Sequence, residues 1–283
     1  MPELPDVERA RKLLELKCLG KEITAVAALD DAIVMPDMRG KKLESLLRGR
    51  SITGTGRRGK QFWLTLTGSL TMLLHFGMTG EVYVRGERTT HYRKQGVSGG
   101  DAWPPRFTKL ELEFDKDTAI AFADARRLGR IRIFEGKPED CEIVKKLGFD
   151  PILDPPEPAD FYAMVHRRRT PIKALLLNQA FSAGVGNWIA DEVLFQSQIH
   201  PEQYANTLSE DQAHELLAQI IDVCTKSVAA NAESKLFPED WLFHYRWSKG
   251  KKGEHQMPDG RAIEFVTVGG RTSAVVPDVQ ILP

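Results

Sequence analysis

The chain has 283 residues, 42% hydrophobic and 28% charged, with 39 basic and 39 acidic side chains that leave no net charge. That balance is ordinary for a globular protein, and the length allows one large or two modest domains. No apolar run approaches the ~20 residues of a membrane helix and the first residues lack the basic and apolar segments of a signal peptide, so no membrane association and a reducing intracellular compartment are expected.

Val7, Ala10, Leu14 and Cys18 fall at helical spacing, and Gly20 suits the stop. Strands are then predicted over 22–28, 61–67, 70–75, 81–84, 109–114, 119–123 and 130–134. Turn signals such as Gly68-Ser69 and Asp115-Lys116-Asp117 separate several of them. This pattern predicts an antiparallel sandwich or barrel. A polar, basic stretch, 85–107, reads as a long loop inserted between two strands. The proline-rich segment 151–158 can continue neither a helix nor a central strand and marks a linker.

Beyond it the period becomes helical over 159–168, 171–180, 187–197 and 209–230. The last carries a capping box, Ser209 with Gln212, and an apolar stripe of Leu216, Leu217, Ile220, Ile221 and Cys224. The tail returns to strands, 263–268 and 273–276, around a Gly269-Gly270-Arg271 turn. The fold class read from this order is α+β, divided into a sandwich over 1–136, a linker region over 137–158, a helical domain over 159–250 and a hairpin over 251–283.

Cys18, Cys141 and Cys224 are too widely spaced to form a disulfide framework or a metal site, and read as small buried hydrophobes. Zero net charge argues mildly against a nucleic-acid partner. The distribution argues for one. From Arg39 to Lys60 a run of basic side chains faces one acid, Glu44. Further clusters are Arg126, Arg127, Arg130 and Arg132; Arg167, Arg168, Arg169 and Lys173; and Arg246, Lys249, Lys251 and Lys252. Gathered on one face these would attract an anionic partner; as separate solvated runs they would mean nothing.

Four collinear motifs decide between these readings. MPELPDVE opens the chain, HFGMTG stands at 75–80, DARRLGR at 124–130 and AGVGNWIADEVLF at 183–195. Together they resemble the formamidopyrimidine-DNA glycosylases (the Fpg and Nei enzymes): N-terminal signature, a glycine–methionine turn, a void-filling loop and a helix–two-turn–helix. The resemblance covers nearly the whole chain. It implies an N-terminal antiparallel β-sandwich with an N-terminal helix, then a helical helix–two-turn–helix domain. No cysteine follows Cys224, so the four-cysteine zinc finger of bacterial members is excluded and no metal or cofactor is expected. Residues 261–280 resemble instead the zincless β-hairpin finger of plant and fungal members, with Arg271 at its tip. A eukaryotic source then implies a nuclear location, any other a cytoplasmic one.

The activity implied is base-excision repair: a bifunctional glycosylase and abasic-site lyase. It removes formamidopyrimidines, hydantoins and, more weakly, 8-oxoguanine, because the stretch 230–241 is short where bacterial members fold a loop over that base. The partner is double-stranded DNA with a damaged base or an abasic site, and a monomer is expected. Pro2 becomes a secondary amine once Met1 is removed. A terminal amine of ordinary pKa is partly unprotonated near neutrality, which suits a nucleophile. Glu3 is the implied general acid, and Lys60 contacts the phosphate beside the lesion. Asp6, where the family usually has Glu, and Glu192 support the site. Met78, Arg126 and Leu128 fill the hole left by a flipped nucleotide. Asn187 and Arg271 clamp the flanking phosphates, with Lys173 as a further contact.

Plainer readings stand beside these. Glu3 and Asp6 favour a helix N-terminus electrostatically, Lys60 suits a strand edge, Met78 and Leu128 suit a core, and Asn187 suits an N-cap. Glu192 suits a structural helix acid, and His75 a hydrogen-bonded structural residue. A damaged-DNA binder without catalysis is the alternative function. A small-molecule-binding sandwich is a third reading, which leaves the four motifs unexplained.

Overall fold

The computed structural model describes residues 1–87, 102–247, 249–250 and 255–283. Most of the expected inserted loop, and Lys251 and Lys252 of the last basic cluster, therefore lie outside the described residues. The chain divides into two compact units, Met1–Lys146 with Asn231–Glu233, and Leu147–Ala230 with Ser234–Pro283.

The first unit begins with α1 (Leu4–Cys18), which buries Leu4, Val7, Leu14 and Cys18. Among the described residues, eight strands then make two four-stranded sheets. β1 (Ala25–Ala28), β6 (Thr108–Glu113), β7 (Ala119–Ala123) and β5 (Glu81–Val84) form one, in that spatial order. β2 (Ile52–Arg58), β3 (Gln61–Leu66), β4 (Leu70–His75) and β8 (Arg130–Glu135) form the other. Every neighbouring pair is antiparallel. Period-two alternation sends Phe62, Leu64, Leu66, Met72, Leu74, Ile131 and Ile133 from one sheet, and Leu110, Leu112, Ile120 and Phe122 from the other, into one shared core. The expected sandwich is thus present.

Several elements were not foreseen. α2 (Gly40–Leu47) buries only Leu43 and Leu47 among exposed basic residues, too few to show a stripe. β2 carries Gly54 and Gly56, which break any alternation. Gly56 is glycine for a reason of space: a Cβ there would lie 2.6 Å from the indole of Trp63, its register partner on β3. The predicted strand over 22–28 pairs in a ladder only from Ala25, Glu22 making a single bridge to Ser51. Residues 138–145, expected in the linker region, form a 3-10 turn and the short α3 (Glu142–Lys145) of the first unit.

The second unit holds α4 (Pro158–His166), α5 (Ile172–Leu177), α6 (Asn187–Gln196) and α7 (Glu210–Ala229). The Ser209–Gln212 capping box starts α7: the Gln212 amide donates to Ser209 Oγ at 3.2 Å, and the Ser209 amide to Gln212 Oε1 at 3.1 Å. β9 (Glu264–Val268) and β10 (Arg271–Val275) form a hairpin, with Arg271 paired to Val268. Gly269 and Gly270 make its two-residue turn, both at positive φ (58° and 72°), as a tight hairpin turn requires. The hairpin is not a unit of its own. Ile263, Ala274 and Val276 share a core with Phe195, Leu242 and Met257. That apolar packing, with no cysteine involved, holds the hairpin.

Candidate active site

The predicted site residues fall into two groups, one in each compact unit. In the first unit, Glu3 is the N-cap of α1 and is buried. Its backbone N–H donates to Asp6 Oδ2 at 2.9 Å, while its carboxylate accepts from the Asp6 backbone. This reciprocal box holds the Glu3 carboxylate in the first turn, immediately after Pro2. Burial pushes the Asp6 carboxyl up to about 6. The Glu3 charge adds to that rise, and the hydrogen bond from the Glu3 backbone opposes it. Asp6 therefore carries a proton part of the time near neutrality, unlike a surface aspartate.

Lys60 sits at the tip of the β2–β3 hairpin, where Arg58 pairs with Gln61 across the Gly59-Lys60 turn. It is thus a turn residue and not a strand-edge lysine. Arg57, read as part of a phosphate-facing run, is buried instead. It donates to Glu8 Oε2 of α1 at 3.0 Å and to the Gly59 carbonyl at 3.1 Å. This places Arg57 behind the Lys60 turn as its tether to α1.

Across the sheet, Gln61 pairs with His75 and His75 with Arg130. A cavity of about 140 Å³ opens there, lined by Gln61, Leu73, His75, Arg130, Arg132 and Ile143. Burial, reinforced by the Lys60 and Arg130 charges, lowers the His75 pKa to about 4. The ring is neutral at physiological pH. Its Nδ1 accepts from the Gly77 amide at 3.2 Å, which leaves the ring proton on Nε2 as a donor.

Next to this row the HFGMTG and DARRLGR segments meet. A Cβ on Gly77 would lie 2.4 Å from the carbonyl carbon and oxygen of Leu128. Met78 and Leu128 are 37% and 38% exposed, and Arg126 is exposed beside them. Core packing does not account for either apolar side chain. The buried Asp124 ties the two segments: its Oδ1 accepts from Thr79 Oγ1 at 2.6 Å and from the Arg126 amide at 3.1 Å, its Oδ2 from the Gly129 amide at 2.6 Å. Arg127, although exposed, is held against the buried Asp31. Its guanidinium makes a two-point contact with Asp31, 2.9 Å at each oxygen, and Lys109 approaches the same carboxylate at 3.2 Å. With Asp124 and Asp31 gripping the loop from within, Arg126 and Leu128 are left facing out.

In the second unit, Gly186 is the N-cap of α6 and Asn187 is its first helical residue, which corrects the N-cap reading. Asn187 Nδ2 donates to the Thr272 carbonyl on β10 at 3.0 Å. Arg271, the preceding residue, is exposed beside the hairpin turn. Lys173 is a correction as well. It is 0% exposed, ion-paired with Asp191, and donates to the Thr272 carbonyl at 3.1 Å. A buried, paired ammonium cannot reach a phosphate, so Lys173 supports the hairpin from beneath. Arg246, placed by charge in a surface cluster, is buried too and pairs with the other oxygen of Asp191. Glu192 is fully buried, accepts from the Phe243 amide at 2.7 Å and from Gln196 Nε2 at 2.8 Å, and is pushed up to about 7 by burial. Both of these partners lie within the second unit.

Sequence reasoning named neither Asp124, Asp31 nor Asp191 as functional. Asp124 had a signal, since it opens the DARRLGR segment. Asp191 had the same kind of signal, standing inside AGVGNWIADEVLF, and Asp31 had none.

The family description "formamidopyrimidine-DNA glycosylase N-terminal domain" matches residues 1–131, and "formamidopyrimidine-DNA glycosylase H2TH domain" matches residues 147–238. A formamidopyrimidine-DNA glycosylase of Arabidopsis thaliana is 38% identical over 282 residues, spanning 100% of this chain and 71% of that relative. The chain belongs to the formamidopyrimidine-DNA glycosylase family. It is therefore a DNA glycosylase of base-excision repair. Among solved structures, formamidopyrimidine-DNA glycosylase of Lactococcus lactis bound to DNA with an abasic site superposes with a TM-score of 0.78 at 26% identity, over 99% of each chain. The same enzyme with DNA containing N7-benzyl-Fapy-dG superposes with a TM-score of 0.81 at 26% identity, over 99% of this chain and 100% of that one.

Proposed function

We propose that this glycosylase is bifunctional, removing an oxidised base and then cutting the strand through a Schiff base at Pro2. The observation that carries the reading is the position of Pro2, directly before a buried Glu3 carboxylate fixed by the first turn of α1. Removal of Met1 converts the Pro2 amide nitrogen to a secondary amine. That amine attacks C1′ of the deoxyribose, the C1′–N bond breaks, and the base leaves with a proton delivered from Glu3. The C1′–O4′ bond then opens, O4′ taking through Glu3 the proton released by the Pro2 nitrogen, and the iminium so formed acidifies C2′. Loss of a C2′ proton breaks the C3′–O bond, and a second elimination breaks the C5′–O bond, so one covalent intermediate serves both reactions.

The partner is a duplex with a damaged base or an abasic site, as in the Lactococcus lactis complexes. Lys60, His75 Nε2, Asn187 and Arg271 serve the phosphates; Met78, Arg126 and Leu128 enter the duplex. The stretch 230–241 supports a preference for formamidopyrimidines and hydantoins over 8-oxoguanine. It is short, and Phe237 and Trp241 are tied into an aromatic cluster with Trp188 and Phe243. In a eukaryotic cell the site of action is the nucleus.

The test uses protein whose mass proves that it begins at Pro2, incubated with an abasic-site duplex and borohydride. A trapped adduct, and incision leaving phosphate at both ends, is expected. A mobility shift without adduct would establish the non-catalytic binder instead.

A further inference from the structure

Phe107 is exposed (41%) and yet held in the left-handed region, at φ +67°. A bulky aromatic is disfavoured in that region on steric grounds, and residues kept there cluster where a site has to present a particular side chain. The neighbouring structure enforces the conformation. The Phe107 carbonyl accepts from the Asp124 amide at 3.1 Å, one step beyond the Thr108–Ala123 pair of the β6–β7 ladder. Thr108 closes the other side of the turn through its hydroxyl, which donates to the Pro105 carbonyl at 2.6 Å. The Arg106 guanidinium lies 4.6 Å from the ring centroid.

Asp124 is thus a shared anchor. Its carboxylate fixes Thr79, the Arg126 amide and Gly129, and its amide fixes Phe107. Met78, Leu128 and Phe107 are all large exposed hydrophobics, and each is on, or one residue from, a group that Asp124 bonds. We propose that Phe107 is a further DNA-contacting residue of this edge, an aromatic that stacks on the base left without a partner when a nucleotide is turned out, and that it sets opposite-base preference. The inference rests on the glycosylase reading above. Leu128 wedges but offers no π-face, and a base stacks on an aromatic ring whatever its identity, with a strength that depends on the base. Arg106 over the ring adds a cation that suits the same electron-rich surface and the adjacent phosphates.

The experiment measures dissociation constants of the full chain, beginning at Pro2, for duplexes with a tetrahydrofuran abasic analogue opposite C, G, A or T. Phe107→Ala is expected to weaken binding about tenfold, the range for losing one base–aromatic stack, and to compress the spread among the four opposite bases. Phe107→Trp is expected to restore both. Borohydride trapping by the parent protein on an abasic duplex separates the two levels of the claim. A parent that fails to trap sinks the reading beneath; a parent that traps, with Phe107→Ala binding all four duplexes within twofold of it, overturns the role of Phe107 alone. A Phe107→Ala loss that Trp leaves unrepaired, alongside a lowered melting temperature, also overturns it, because the ring would then be packing the fold.

Discussion

The backbone of Gly77 lies against the carbonyl of Leu128, with no room for a β-carbon between them: an added Cβ would come within 2.4 Å. Gly77 also has φ +60°, where an L-residue is strained regardless of space. Two segments far apart in sequence are thereby locked edge to edge, which sets the spacing of Met78 from Leu128. Gly77→Ala is expected to lower stability by ~2 kcal/mol or more, from the left-handed conformation plus the displaced loop. Thermal unfolding beside binding to an abasic-analogue duplex checks this. An alanine variant with parental melting and parental affinity would show that the contact is not needed.

Asp124 holds the same edge through its carboxylate. Asp124→Ala strands the Thr79 hydroxyl and the Arg126 and Gly129 amides, of which the Gly129 amide is buried, at ~1–3 kcal/mol for a buried group. Asp124→Asn keeps one acceptor oxygen and turns an NH₂ toward one of these donors. The expected order of affinity for lesion duplex is parent, then Asn, then Ala, with opposite-base preference changing as the loop loosens. Equal affinities across the series would remove Asp124 from the positioning role.

Much of the first unit was legible because β6 and β8 alternate, β4 and β7 are short apolar runs, and the turns between strands carry Gly, Ser and Asp. β2 was not legible, since Gly54 and Gly56 answer to side chains on β3 rather than to the strand pattern. The four motifs located the site, but only the fold could sort the basic residues. Arg57, Lys173 and Arg246 look the same in sequence as solvated charges. Their partners lie 49, 18 and 55 positions away, beyond the reach of local spacing. Arg126 and Arg127 are adjacent in one motif, yet one faces out and the other is claimed by Asp31.

The buried cluster of Asp191 with Lys173 and Arg246 gives an asymmetric expectation. One carboxylate faces two cations, and its Oδ2 also accepts from the Ala274 amide at 3.2 Å. Asp191→Ala takes away the carboxylate that both buried cations share, an effect of ~3–5 kcal/mol. Lys173→Met removes one cation and leaves the Arg246–Asp191 pair neutral, so it is expected to be far milder. Denaturant unfolding of the two single variants and the double variant reads the coupling directly. The double variant should recover part of what Asp191→Ala loses; strict additivity would mean that the two groups do not interact.

Glu192 gives the protein a pH-dependent stability. Its folded pKa, about 7, lies above the ordinary value of 4.5 because burial disfavours the charged form. Between those two values the folded chain holds a proton on Glu192 that the unfolded chain has released. The contribution is complete below pH ~4.5 and is lost as pH rises through 7, with a full span of ~3 kcal/mol. The parent should therefore lose stability between pH ~5 and pH ~8. A glutamine side chain would present the same oxygen to the Phe243 amide without a titrating proton, so Glu192→Gln should flatten that part of the curve. Urea midpoints across this range make the comparison, and a variant whose slope matched the parent's would place the pH dependence elsewhere.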